Sequence, residues 1–246
     1  MFLSVCWYSG WFFLALGALC VIRPLKLLRL PTRRRAAFAA IAGALLAVLT
    51  LYVGTGTHRV TQPSSLLDVV LPEYQFNEQH STVVAAPAER VYKAMLEVAP
   101  EEIKGYGLLT WIRCMGRCRE DSIMNPASRT PILETAVKTS FKKLAETPNS
   151  EFVFGGFVAA PASVVGRPWT VETFVPLADP GFAKVAMNFR LQPLPDGTTR
   201  LETETRVQAT DPGTLRVFAA YWRTIYPGSA IIRVQWLKAI KRRAER

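Results

Sequence analysis

Two histidines and four cysteines are all that this chain of 246 residues offers for soft metal ligation or thiol chemistry. His58 and His80 stand at no zinc-binding spacing from the cysteines, so no metal is expected. Cys6 and Cys20 fall in an apolar run and read as small buried side chains. Cys114 and Cys118 would share a face if their stretch is helical, a geometry that suits a disulfide poorly, although Gly116 lets the chain bend. Two unpaired thiols are expected ahead of a metal site, and whether Cys114 and Cys118 pair is not legible. Also missing are a Gly-x-Ser-x-Gly elbow and a phosphate-cradling glycine loop. Gly54-Thr55-Gly56 lacks the strand–turn–helix context of a dinucleotide site. No catalytic residue is assigned, no cofactor is expected, and nothing repeats internally.

What is present is positive charge, +11 in total. Its placement argues against nucleic acid. Arg23, Lys26, Arg29, Arg33, Arg34 and Arg35 form one cluster, and Lys238, Lys241, Arg242, Arg243 and Arg246 form the other. The remainder is close to neutral and has no basic stripe interleaved with aromatics. The C-terminal cluster reads as a solvated helix end beside the negative pole of the helix dipole, or as a contact for anionic lipid headgroups.

Residues 2–22 carry no charge and are about the ~20 residues that a membrane-spanning helix needs. Residues 36–53 are a second uncharged run, shorter and richer in alanine. A cleaved signal peptide for the first and a buried core helix for the second are the alternatives. The first run lacks a basic start and a small-residue cleavage site. A two-helix hairpin is therefore expected over residues 1–54, with a basic loop at 23–35. Lysine and arginine favour the cytoplasmic side, which places that loop inside and the large C-terminal domain outside the cytoplasm. The chain is expected to be a multi-pass protein of the cell membrane. Residues 55–71, with Gly56, Gln62, Pro63, Ser64 and Ser65, read as a linker, and residues 72–246 as the folded domain.

That domain is organised around its last third. Ala183, Val185, Met187, Phe189 and Leu191 alternate with polar residues, and Leu201, Thr203, Thr205, Val207 and Ala209 do the same. Such alternation predicts two half-buried strands, with Lys184, Asn188, Arg190, Glu202 and Glu204 on a wet face. A three-residue turn at Pro195-Asp196-Gly197 pairs Arg190 with Glu202 and Asn188 with Glu204, keeping the faces in step. Asp211-Pro212 then opens a long helix with Leu215, Phe218, Trp222, Ile232, Trp236 and Ile240 at helical spacing, kinked or briefly broken at Pro227-Gly228. Upstream, residues 73–85 read as a strand, Ala86-Pro87-Ala88-Glu89 opens a helix, and Pro100 opens a second that runs through Leu108, Leu109 and Trp111. A short helix follows at 131–137, then a hairpin around Pro148-Asn149 and a further strand over 169–177.

The order strand, two helices, about five antiparallel strands and a long helix predicts an α+β domain. Val83-Val84-Ala85-Ala86-Pro87-Ala88-Glu89-Arg90-Val91-Tyr92 crosses from the first strand to the first helix. With Phe76 to His80, residues 183–189 and 203–206, and Tyr221-Trp222-Arg223 through Pro227-Gly228-Ser229, this resembles the START-like helix-grip superfamily, the SRPBCC or polyketide-cyclase-like group. More narrowly it resembles bacterial members joined to an N-terminal membrane hairpin. The resemblance implies a curved antiparallel sheet wrapping the C-terminal helix, with a cavity between them. It says little about function, because that fold hosts lipid carriers, cyclases, hydrolases and pure binders.

The implied cavity would be lined by Glu78, His80, Trp169, Met187, Phe189, Thr203, Thr205 and Trp222. Glu78 and His80 are polar on the packed face of the first strand. They read as a buried pair satisfied by hydrogen bonds, as polar anchors for a ligand, or as an acid–base pair. The aromatic residues read equally as core. The leading expectation is a membrane-anchored domain that binds a hydrophobic small molecule or lipid as carrier or sensor. The alternatives are a cyclase- or hydrolase-type enzyme using Glu78 and His80, and a protein-interaction module in the membrane. Partners are then the membrane and a hydrophobic ligand, with no nucleic acid; oligomeric state is not legible.

Overall fold

The computed structural model describes residues 1–23, 32–120, 122–126 and 129–246. The chain divides into two compact units, one of residues 1–56 with 215–227, the other of residues 57–214 with 228–246.

The first unit holds helices α1 (Phe2–Ile22) and α2 (Arg33–Thr50), plus part of the C-terminal helix. Small residues let the α1 and α2 backbones nearly touch. A Cβ on Gly17 would lie 2.5 Å from the Ala40 nitrogen, and one on Gly43 would lie 2.5 Å from that of Leu14. The large side chains Phe2, Trp11, Phe12, Phe38, Ile41 and Leu45 point outward instead. Small inside and apolar outside is the packing that suits a hydrocarbon solvent. Among the described residues, α1 is the one helix long and apolar enough to cross a membrane by length and composition. The expected second span is not matched on that measure: α2 starts at Arg33, so three arginines occupy its first turn and the apolar stretch behind them is short. Most of the expected basic loop, including Lys26 and Arg29, lies outside the described residues.

The second unit is built on five antiparallel strands, β3 (Phe76–Val84), β4 (Lys142–Thr147), β5 (Glu151–Ala159), β6 (Ala183–Pro193) and β7 (Thr199–Ala209). Their order is β3-β7-β6-β5-β4. Arg190 faces Glu202 and Asn188 faces Glu204, as the turn chemistry predicts, and Gly197 supplies the left-handed residue of that turn (φ 79°). A separate two-stranded ribbon pairs β1 (His58–Arg59) with β2 (Glu73–Tyr74). Helices α3 (Leu66–Val70), α4 (Ala88–Glu97), α5 (Tyr106–Arg113), α6 (Ile132–Thr139) and α7 (Val171–Phe174) complete the unit, and α8 (Pro212–Ala244) ends the chain. The Asp211 carboxylate caps α8 by accepting from the Gly213 and Thr214 amides at 2.8 and 3.0 Å.

Five expectations change. Pro227 does not break α8, which runs unbroken from Pro212 to Ala244; a proline forfeits one amide donor, and the remaining ladder holds. Pro100 opens only a 3-10 turn (Pro100–Glu102), and Gly105 in the left-handed region separates it from α5. Residues 169–177 are not a strand, because Thr170 and Thr173 cap the short helix α7 reciprocally. Cys114 and Cys118 are disulfide-bonded, with Met115 and Gly116 at positive φ bringing their Cα atoms to 5.3 Å. The row Lys184, Asn188, Arg190, Glu202 and Glu204 is wet only in part: Lys184 and Asn188 are buried, and Arg190, Glu202 and Glu204 are half-buried.

That last correction decides how the sheet is covered. The expected linker 55–71 folds α3 onto the sheet, where Leu67, Val70 and Leu71 pack in one core cluster with Val153, Phe174 and Ala186. The Glu151 carboxylate accepts the amides of Leu66 and Leu67 at 2.8 and 3.3 Å and the Asn188 side-chain amide at 2.7 Å. Asn188 in turn accepts the Glu204 amide at 2.9 Å. Arg206 joins Glu204 (2.8 Å) to Asp68 on α3 (2.8 Å). The buried members of the row, Lys184 and Asn188, are paired internally, as buried polar groups require.

Candidate functional site

The other sheet face carries the residues singled out from the sequence. Cross-strand register sets Glu78 beside Thr205, Thr205 beside Met187, and Met187 beside Phe154; the next rung is His80, Thr203, Phe189 and Phe152. The α8 segment from Ser229 onward packs over them. Glu78 has no exposed side-chain surface, and His80 keeps 21%. The Glu78 carboxylate contacts His80 Nε2 through one oxygen at 2.8 Å and accepts the Ser229 hydroxyl through the other at 2.8 Å. Arg233 donates to the Thr203 hydroxyl at 3.3 Å and lies against the Met187 sulfur. Burial pushes the Arg233 guanidinium below its ordinary range, and the negative Glu78 opposes that shift. Among the described residues, the Thr205 hydroxyl and the Trp236 indole nitrogen are buried with no hydrogen-bond partner.

This arrangement is an anchoring group in an otherwise aromatic interior. Phe154 stacks on Phe189 at 6.4 Å, and Phe189 meets Trp236 edge-on at 5.0 Å. The rings of Phe154, Phe189 and Trp236 thus form the aromatic part of the interior between this sheet face and α8. The chemistry is also constrained. Ser229 donates to the Glu78 carboxylate, and His80 contacts the other oxygen of the same group, so both side chains converge on Glu78.

Six of the eight expected residues, Glu78, His80, Met187, Phe189, Thr203 and Thr205, share this face. Trp222 belongs to the first unit, where its ring meets Phe218 and Tyr226 at 5.9 and 5.7 Å. Trp169 lies on the opposite sheet face, with Phe157, Phe174 and Phe182. Phe157 meets these three rings at 5.2 to 5.4 Å. There Trp169 walls an open cleft of about 670 Å³ between β4, β5 and residues 160–182. Phe157, Val164, Val165, Trp169, Leu177 and Phe182 supply its apolar lining, and Lys142 and Arg167 its cations. The Lys142 ammonium sits 4.9 Å over the Trp169 ring and donates to the Trp169 carbonyl, which fixes the indole. Reading residues 169–177 as a strand hid this cleft; the glycine and proline of Val164-Val165-Gly166-Arg167-Pro168 were the available signal of a loop over the sheet.

No protein-family model matches the chain, and no curated protein matches it. Among solved structures it is similar to TTHA0849 from Thermus thermophilus, at 15% identity over 69% of this chain and 97% of that one, with a TM-score of 0.30. It is also similar to CV1439 from Chromobacterium violaceum, at 17% identity over 69% of this chain and 98% of that one, with a TM-score of 0.31. The architecture in hand is α+β, a five-stranded antiparallel sheet with a long C-terminal helix, behind one apolar N-terminal helix of membrane-spanning length.

Proposed function

We propose that the chain is a membrane-anchored binding protein for an apolar small molecule or lipid, acting as carrier or sensor, on a START-like helix-grip domain. The observation that carries this reading is the cleft at Trp169. Its volume of 670 Å³ lies within the ~300–1,000 Å³ of small-molecule sites, and its lining is mostly apolar with few polar groups. Lys142 and Arg167 would orient a ligand with an anionic end. The buried Glu78–Ser229–Arg233 group then ties α8 to the sheet rather than meeting the ligand. Displacement of an apolar fluorescent probe from the full chain tests the proposal. Ala160 lines the cleft and is half-buried, so Ala160→Trp fills it from the rim. Probe binding lost in that variant with an unchanged circular dichroism spectrum supports the cleft; equal binding by both proteins overturns it.

The multi-pass arrangement belongs to the same proposal. The close Gly17–Ala40 and Gly43–Leu14 approaches support a membrane hairpin. The Cys114–Cys118 disulfide supports an oxidising compartment for the second unit. Thiol blocking in intact cells, followed by reduction and labelling, reads that placement. Free thiols at both positions in the native membrane would contradict it.

An acid–base enzyme of the cyclase or hydrolase type is the second reading, favoured by the direct Glu78–His80 contact at a partly open edge. It requires that His80→Ala abolish turnover while leaving probe binding intact.

A further inference from the structure

We propose that α5 and the disulfide-closed turn after it form a docking face for the surface of an anionic lipid bilayer. Leu108, Trp111, Ile112 and Met115 recur at helical spacing, and they are 63%, 58%, 55% and 85% exposed. A helix of a water-soluble domain turns such a stripe to the core. Here the reverse holds. The residues of α5 that face inward are Tyr106 and Thr110, and the Thr110 hydroxyl bonds back to the Tyr106 carbonyl at 2.9 Å. At eight residues the helix is far too short to cross a membrane, so its exposed stripe fits the interfacial plane, where tryptophan is favoured.

Charge selects the occupant. Lys104, Arg117 and Arg119 flank the stripe; the nearest carboxylates in sequence are Glu101, Glu102 and Glu120, and Glu102 is paired with Arg243. A basic rim around an apolar centre complements anionic headgroups over acyl chains. The disulfide between Cys114 and Cys118 closes the turn and holds Met115, with φ of 53°, at its apex. The chain also carries α1, a helix of membrane-spanning length, so a bilayer is a surface it meets. The basic C-terminus is a poorer candidate because three of its five charges are engaged: Lys241 donates to the Val83 carbonyl, Arg242 donates to the Glu102 carbonyl, and Arg243 pairs with Glu97 and Glu102. The proposal does not use the cleft at Trp169.

The test uses the full chain in vesicles of phosphatidylcholine with bromine-labelled acyl chains, with and without phosphatidylglycerol. The emission of Trp111 is isolated as the difference between wild type and Trp111→Phe. Docking predicts that bromolipid quenches this emission when phosphatidylglycerol is present, and that rising salt relieves the quenching. Arg117→Gln and Arg119→Gln should each weaken docking about fivefold, and Met115→Lys, at an exposed position, should abolish it. Emission that stays unquenched by bromolipid in both vesicles and open to aqueous iodide overturns the proposal. So does emission shielded from iodide but untouched by bromolipid, which would place a protein on this face.

Discussion

Arg206 and Asp68 meet at 2.8 Å with side chains only 7% exposed each, joining the inner strand β7 to a helix that the sequence places in a linker. Burial alone would raise the Asp68 carboxyl. The Ser64 amide, the Arg206 guanidinium and the Ser65 hydroxyl outweigh burial and hold it at about 2. A depressed carboxylate contributes stability that is present above its unfolded value of about 4 and is lost as pH falls through the folded value. Acid titration between pH 4 and 2 should therefore remove about 2 kcal/mol at this site. Asp68→Asn should cost about 3 kcal/mol at neutral pH and flatten that acid limb. Chemical denaturation across this pH range gives both values.

Lys184 supplies the opposite dependence. Burial lowers its ammonium to about 8, and the distant charge of Glu73 only partly resists. Between pH 8 and about 10.5 the unfolded chain holds a proton that the folded chain has released, so stability should rise with pH across that window. Lys184→Met removes the charge while losing the bond to the Val175 carbonyl at 3.0 Å. A net gain of about 1 kcal/mol is expected at neutral pH, disappearing by pH 10. An unchanged midpoint at both pH values would mean that the ammonium is solvated.

The alternation in β6 and β7 fixed their pairing, and the turn at Gly197 set the register, both legible because period two leaves no freedom of face. What the pattern could not tell was which polar row is dry. Lys184, Asn188 and Arg206 look the same whether water or Glu151 and Asp68 receives them. The signal lay outside the strands, in Leu66-Leu67 and Val69-Val70-Leu71, an apolar run inside a stretch read as linker from its Gly, Pro and Ser. Glu78 and His80 were visible because they interrupt an apolar face. Ser229 and Arg233 were not, since a polar residue on a long helix ordinarily faces solvent.

Arg233 and Glu78 should behave as a coupled pair. Arg233→Met leaves the Glu78 charge buried with His80 as its remaining basic neighbour, at a cost of about 3 kcal/mol. Adding Glu78→Gln should return at least about 1 kcal/mol, so the double variant is less destabilised than the sum of the singles. Strict additivity in a double-mutant cycle would show that the two charges do not interact.

The helix pair of the first unit tolerates no side chain at its contact. A Cβ at Gly17 would fall 2.5 Å from the Ala40 nitrogen and 2.7 Å from the Ala36 carbonyl oxygen, all backbone atoms. Gly17→Leu must separate the helices and should destabilise the pair by about 3 kcal/mol. The outward Phe12→Leu, on the same helix, should change it by less than about 1 kcal/mol. Unfolding in mixed micelles compares the two.

The binding reading is tested most directly by native mass spectrometry of the full chain released gently from its membrane, with lipid extraction alongside. A co-purifying apolar mass, present in wild type and absent from Ala160→Trp, is the predicted result. Wild-type protein that flies empty, or an adduct retained when the cleft is filled, would contradict it.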